Sequence, residues 1–120
     1  MATILIIDDE SGIVEEIRSY FEEEGYKVHT ADSGELGIQL IQKLKPDVLL
    51  IDMKLPDISG LSVLNSARQV SPKSKTIVIT GYVDQDLIDE AESLGRDSFL
   101  QKPFSLETLK SEIDRLLCNP

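Results

Sequence analysis

Four of the five short apolar stretches in this 120-residue chain end in side chains able to do chemistry. Asp8, Asp9 and Glu10 follow Thr3–Ile7, Asp52 follows Val48–Ile51, Thr80 follows Thr76–Ile79, and Lys102-Pro103 follows Ser98–Leu100. An acidic pair alone reads equally well as a helix N-cap, so the conjunction carries the argument. Three carboxylates gathered in one crevice repel one another and raise at least one pKa unless a cation keeps them ionised. With oxygen donors and neither His nor Cys at these positions, Mg²⁺ fits better than zinc. A lysine ammonium and a threonine hydroxyl beside such a centre suit a tetrahedral anion, most simply a phosphoryl group. Asp52 stands alone between the acidic pair and the Thr80/Lys102 side, which makes it the best-placed nucleophile. Attack by a carboxylate on phosphorus gives an acyl phosphate, a high-energy and hydrolysable bond suited to a transient signal.

These residues meet only if the apolar runs lie side by side. The runs are Thr3–Ile7, Lys27–Thr30, Val48–Ile51, Thr76–Ile79 and Ser98–Leu100. The first, third and fourth are apolar at consecutive positions, which marks strands covered on both faces. Five amphipathic stretches separate or follow them. Ile13, Ile17, Tyr20 and Phe21 recur at helical spacing opposite Glu15, Glu16 and Glu22–Glu24, and Gly25 stands where a C-cap belongs. Leu40, Ile41 and Leu44 continue a second helix whose start is marked by Asp32 with Glu35 three residues on. Leu61, Leu64 and Ala67 form a third; Leu87, Ile88, Ala91 and Leu94 a fourth, stopped by Gly95; and Leu106, Leu109, Ile113 and Leu116 a fifth, with Ser105 as N-cap. The pattern is (βα)₅, and right-handed crossovers turn it into a doubly wound α/β fold with a parallel five-stranded sheet. Ligands in such folds sit outside the carboxyl ends of the strands, where the polar residues above fall.

Charge excludes some partners. The chain carries 22 Asp+Glu against 12 Lys+Arg, a net −10, which argues against nucleic-acid binding through this domain and against anionic membrane surfaces. No apolar run approaches the ~20 residues needed to span a bilayer. The single cysteine, Cys118, cannot form an internal disulfide, and the N-terminus lacks a signal-peptide pattern, so a cytoplasmic location is expected. Neither Gly-rich nucleotide-binding fingerprint occurs.

The chain resembles the receiver (phosphoacceptor) domain of two-component response regulators over essentially its whole length, as a single domain spanning 1–120. The likeness rests on Asp8-Asp9, on Asp52-Met53-Lys54-Leu55-Pro56 with Gly60 following, on Thr80-Gly81 and on Lys102-Pro103-Phe104. It implies a flavodoxin-like strand order 2-1-3-4-5. It also implies that Asp52 accepts a phosphoryl group from a sensor histidine kinase or phosphotransfer protein, the domain assisting its own phosphorylation and dephosphorylation rather than acting as an enzyme on other substrates. Asp9, Asp52 and the backbone carbonyl of Lys54 would bind Mg²⁺, with Asp8 acting through water. Lys102 would pair with a phosphoryl oxygen, and its peptide bond to Pro103 would be cis. Thr80 would move to the phosphoryl group and Phe99 would turn inward with it, changing an output face made of the fourth helix, fifth strand and fifth helix. An attached effector domain, a downstream protein or a phosphorylation-dependent homodimer would receive the signal.

Four residues stand out against the commonest family pattern. Gly37 replaces Ala, at a cost to the second helix of up to about 1 kcal/mol in its interior. Arg96 follows Gly95 where a small residue is usual, and Tyr82 and Lys54 occupy positions that influence water access to the phosphoryl group. The remaining conspicuous residues have plainer readings: His29 as a capping or solvent-facing side chain, Cys118 as a small apolar residue or exposed thiol, and the acids of 84–92 as a solvated helix face. Two other functions use similar parts. A haloacid-dehalogenase-type phosphatase wants Asp-x-Asp after an early strand, which Asp8-Asp9-Glu10 does not supply. A phosphorylation-independent interaction module has no need of the full residue set.

Overall fold

Strands apolar at every position cannot leave a face in water, and this chain covers both. In the computed structural model, which describes residues 2–81 and 84–118, five strands alternate with five helices. They are β1 Thr3–Ile7, α1 Ser11–Glu23, β2 Lys27–Ala31, α2 Gly34–Leu44, β3 Val48–Asp52, α3 Gly60–Val70, β4 Lys75–Thr80, α4 Gln85–Ser93, β5 Ser98–Gln101 and α5 Leu106–Cys118. All strand pairs are parallel, in the order β2-β1-β3-β4-β5. The expected doubly wound, flavodoxin-like arrangement is therefore the one observed.

Alternation of side chains along each strand divides the apolar runs between two cores. Ile4, Ile6, Val48, Leu50, Ile77 and Ile79 pack with Val14, Ile17 and Phe21 of α1 and Leu109, Ile113 and Leu116 of α5. Leu5, Ile7, Leu49, Ile51 and Val78 pack with Ile41 of α2, Val63, Leu64 and Ala67 of α3, and Ala91 of α4. Consecutive apolar residues in β1, β3 and β4 are thus both needed, one for each layer. Gly25 and Gly95, with φ +95° and +91°, follow the ends of α1 and α4 as expected.

Three readings are corrected. α2 is capped by Ser33, not Asp32: Ser33 is the last extended residue before the helix, and its Oγ accepts from Leu36 N at 3.2 Å. The orphan amides of Gly34 and Glu35 are taken by Asp57, in the loop after β3, at 2.8 and 2.9 Å. Gly37 is not merely a weak helix former, because a Cβ there would lie 2.7 Å from Cδ1 of the fully buried Ile7. Its bareness lets α2 approach β1. His29 is neither a cap nor fully solvent-facing; it is half-buried in mid-β2, opposite Leu5. Cys118 is an exposed free thiol. Asp84 caps α4, and Asp86, Asp89, Glu90 and Glu92 are exposed, as a solvated face requires. At the other end of the sheet from the strand-end acids, Arg68 of α3 donates to the carbonyls of Gly95 and Ser74, while Asp97 accepts from Thr76 N at 2.8 Å. No helix among the described residues is long and apolar enough to cross a membrane.

Gly60 has the most demanding contact. A Cβ there would overlap the carbonyl oxygen of Asp52 and lie 2.7 Å from Cα of Met53, so backbone would have to move. Gly60→Ala is expected to destabilise the fold by about 1–3 kcal/mol in urea unfolding. Gly12→Ala, where the methyl meets nothing within 4 Å, should be neutral or stabilising by up to about 1 kcal/mol. Equal midpoints for the two variants would contradict this account.

Candidate functional site

The parallel sheet brings four strand ends to one edge. Asp8 follows β1 and is fixed by its own amide, which donates to Ala31 O at 3.0 Å. Asp52 is the last residue of β3, opposite Ile79, and Thr80 ends β4. Lys102 follows β5, and its amide donates to Thr80 O at 2.7 Å. Asp8, Asp52 and Thr80 are buried, at 3%, 4% and 4% exposure, although all three are polar. Burial of that kind persists only where each group has a partner.

Each buried carboxylate divides its two oxygens between backbone and site. Asp8 Oδ1 accepts from Glu10 N at 2.9 Å, and Asp52 Oδ1 accepts from Lys54 N at 3.0 Å. In both cases the donor lies two residues on, a turn characteristic of Asp after a strand. The other oxygens converge on one cation: Lys102 Nζ lies 3.0 Å from Asp8 Oδ2 and 3.2 Å from Asp52 Oδ2. A third carboxylate, Glu10, approaches the same ammonium at 2.5 Å. Burial pushes the Asp52 carboxyl above its ordinary value and the Asp8 charge adds to this, while the Lys54 amide and the Lys102 ammonium act in the opposite sense. Burial also disfavours the Lys102 ammonium, but hydrogen bonds to Glu10 and Asp8 and the Asp8 and Asp52 charges hold its pKa well above the usual lysine range.

The donor set fits a hard divalent cation. Among the described residues, carboxylate oxygens of the buried Asp8 and Asp52 and of the exposed Glu10 lie within 4.8 Å of one another; the two buried aspartates offer the oxygen donors such an ion prefers, while Glu10 pairs most closely with Lys102. Asp9, expected as a ligand, is exposed and stands on the wall of the same cleft, a cavity of about 410 Å³ also lined by Asp52, Lys54, Gly81 and Lys102. Asp9 is therefore adjacent to the trio rather than within it. Glu10 is the residue that sequence reasoning left without a role. Its signal was its place directly after the acidic pair, which only the fold connects to Lys102.

The remaining expectations fall as follows. Lys102-Pro103 is cis. Phe99 lies on β5 opposite Val78, partly buried against the core shared with α2, α3 and α4. The Arg96 guanidinium lies 6.0 Å from the Phe99 ring centroid, so the unusual Arg96 packs on the aromatic suggested as a switch. Tyr82 lies outside the described residues.

Comparison with known proteins adds an independent finding. A family model described as the response regulator receiver domain matches residues 4–114. Sporulation initiation phosphotransferase F of Bacillus subtilis is 31% identical over 114 residues, covering 95% of this chain and 92% of that protein. Other curated relatives are longer, and this chain spans only 25–51% of their length. The crystal structure of a CheY-like response regulator receiver domain protein from Methanospirillum hungatei superposes with a TM-score of 0.91 at 29% identity, covering 100% of this chain and 99% of that one. A response regulator protein from Burkholderia pseudomallei, solved with a phosphorylated aspartic acid, a calcium ion and citrate, gives 0.88 at 25% identity over 100% of this chain and 76% of that one.

The electrostatics of Asp52 generate a stability prediction. Because its pKa in the fold lies above the ordinary 3.8, ionisation costs the folded state. Metal-free stability should therefore decline as pH rises from that ordinary value through the raised one. Asp52→Asn removes this decline and leaves Lys102 with Asp8 and Glu10. Thermal unfolding in EDTA at neutral pH should show a higher midpoint for the variant; a lower one would mean that the Lys102 pairing outweighs burial.

Proposed function

The chain belongs to the response regulator receiver domain family, the phosphoacceptor domains of two-component signalling, and on that premise we propose that Asp52 is the phosphoacceptor of a Mg²⁺-dependent switch. The observation that carries the reading is the buried Asp52 carboxylate with Lys102 Nζ 3.2 Å from its free oxygen, at the wall of an open cleft. The proposed donor is a phosphohistidine on a sensor kinase or phosphotransfer protein. An Asp52 oxygen forms the new P–O bond as the P–N bond of the donor breaks, and the electron pair leaves with the imidazole nitrogen. Lys102 pairs with a phosphoryl oxygen and offsets its charge. Asp8, Asp9, Asp52 and the Lys54 carbonyl would hold Mg²⁺, which when bound supplies further neutralisation of the phosphoryl oxygens. The phosphorylated aspartic acid and calcium ion of the Burkholderia pseudomallei protein support this assignment.

Signalling follows as a population shift. The proposed switch residues are Thr80, at the end of β4, and Phe99, on the neighbouring strand, and the proposed output face is α4, β5 and α5. Moving such an equilibrium from about 1:99 to 99:1 takes roughly 5.5 kcal/mol of differential binding, within reach of a few charge-assisted hydrogen bonds. Phe99 lacks a hydroxyl, so its two positions should differ mainly in apolar burial. The proposed setting is cytoplasmic, with residues 1–120 as one receiver domain that delivers its signal to an effector domain, a downstream protein or a second phosphorylated copy.

Incubation with Mg²⁺ and acetyl phosphate is expected to add one base-labile phosphoryl group by intact mass, and Asp52→Asn to abolish it. A folded wild-type chain that acquires no adduct would overturn the proposal. Turnover of assorted phosphate esters would instead identify a phosphatase.

A further inference from the structure

Glu10 occupies the N-cap position of α1, with extended φ −86° and ψ 93°, yet its side chain makes no capping hydrogen bond. Short side chains such as Asp or Ser at this position accept from the amides of the first turn; the longer glutamate does not, and α1 has no acidic residue within its first turn. The Glu10 carboxylate is turned instead to Lys102 Nζ, at 2.5 Å, the shortest of that ammonium's three contacts. Among the described residues it is also the one exposed partner of the three. The Glu10 side chain is 55% exposed, against 2% for Asp8 and 6% for Asp52.

That asymmetry decides which contact can be given up. Releasing a buried carboxylate from its cation leaves an unpaired charge in a dry site, whereas an exposed one is simply rehydrated. We propose that Glu10 is a positioning residue that holds the Lys102 ammonium against the carboxylate cluster until a phosphoryl group on Asp52 competes for it. The role rests on the assignment of Lys102 to the phosphoryl oxygen. Glu10 then acts against phosphorylation: each transfer must exchange the Glu10–Lys102 contact for a Lys102–phosphoryl contact.

Two variants separate contact from charge. Glu10→Gln removes the anion. Glu10→Asp keeps it but shortens the side chain and restores a residue that caps helices well, drawing the carboxylate away from Lys102. In metal-free protein, a proton–nitrogen spectrum of lysine ammonium groups should show a protected Lys102 signal in the wild type. In both variants that signal should be broadened by faster exchange with water. With saturating Mg²⁺, both variants should take up phosphoryl from acetyl phosphate roughly two- to fivefold faster than wild type, the equivalent of one exposed ion pair.

Wild-type behaviour of Glu10→Asp in both measurements would reduce Glu10 to a long-range charge and overturn the proposal. So would a weakening of Mg²⁺ affinity by about tenfold or more in Glu10→Gln, read from amide shifts, since a loss of that size places the carboxylate among the groups that bind the metal or orient its ligands. Failure of the wild type to accept phosphoryl at all would instead sink the assignment of Asp52, while the metal-free ammonium signal would still report on the Glu10 contact.

Discussion

The site depends on one conflict: carboxylates that fold into the same small volume and cannot all be anionic without a cation between them. Asp8 and Asp52 are forced together because β1 and β3 are neighbours in register, with Ile7 opposite Ile51 and an aspartate next in each chain segment. Their inner oxygens are committed to backbone amides and their outer ones point to Lys102. The lysine resolves the repulsion only in part, since burial and Asp8 still hold the Asp52 carboxyl above its ordinary pKa. A site left short of positive charge in this way has the donor chemistry that suits a divalent cation.

The rest of the molecule keeps that conflict in place. Two apolar layers lock β1, β3 and β4 from both sides, so the strand ends cannot splay to relieve the charge. The loop after β3 is fastened at two points. Gly60 lies against the backbone of Asp52 and Met53, and Asp57 closes the amino end of α2. The residues between Met53 and Asp57, Lys54 to Pro56, form part of the cleft wall. Helix capping, ordinarily a local matter, here braces the rim of the site.

Much of this was legible in the sequence because it is periodic. Consecutive apolar residues announced buried parallel strands, and strand ends then named Asp8, Asp52, Thr80 and Lys102 without any structure. Contacts that depend on approach distance rather than pattern were not legible. Gly37 read as a helix defect because the Ile7 side chain that fills its place is distant in sequence. Asp57 carried no signal as a cap, since it serves a helix that starts 23 residues before it. Asp32 and Ser33 are both good cap formers, and only the backbone angle at Ser33 chooses between them. Glu10 showed its type and place, but its partner lies 92 residues away.

The polar fastening at the opposite end of the sheet holds the two ends of α4 by different means. Arg68 grips the Gly95 carbonyl at 3.4 Å just beyond the end of the helix, and Asp97 is tied to the start of β4. The amino end of α4 begins only five residues after Thr80. The helix is thus tied to α3 at its carboxyl end, while its amino end follows the strand that carries Thr80. The same carboxyl end lies beside the place where Arg96 and Phe99 pack together.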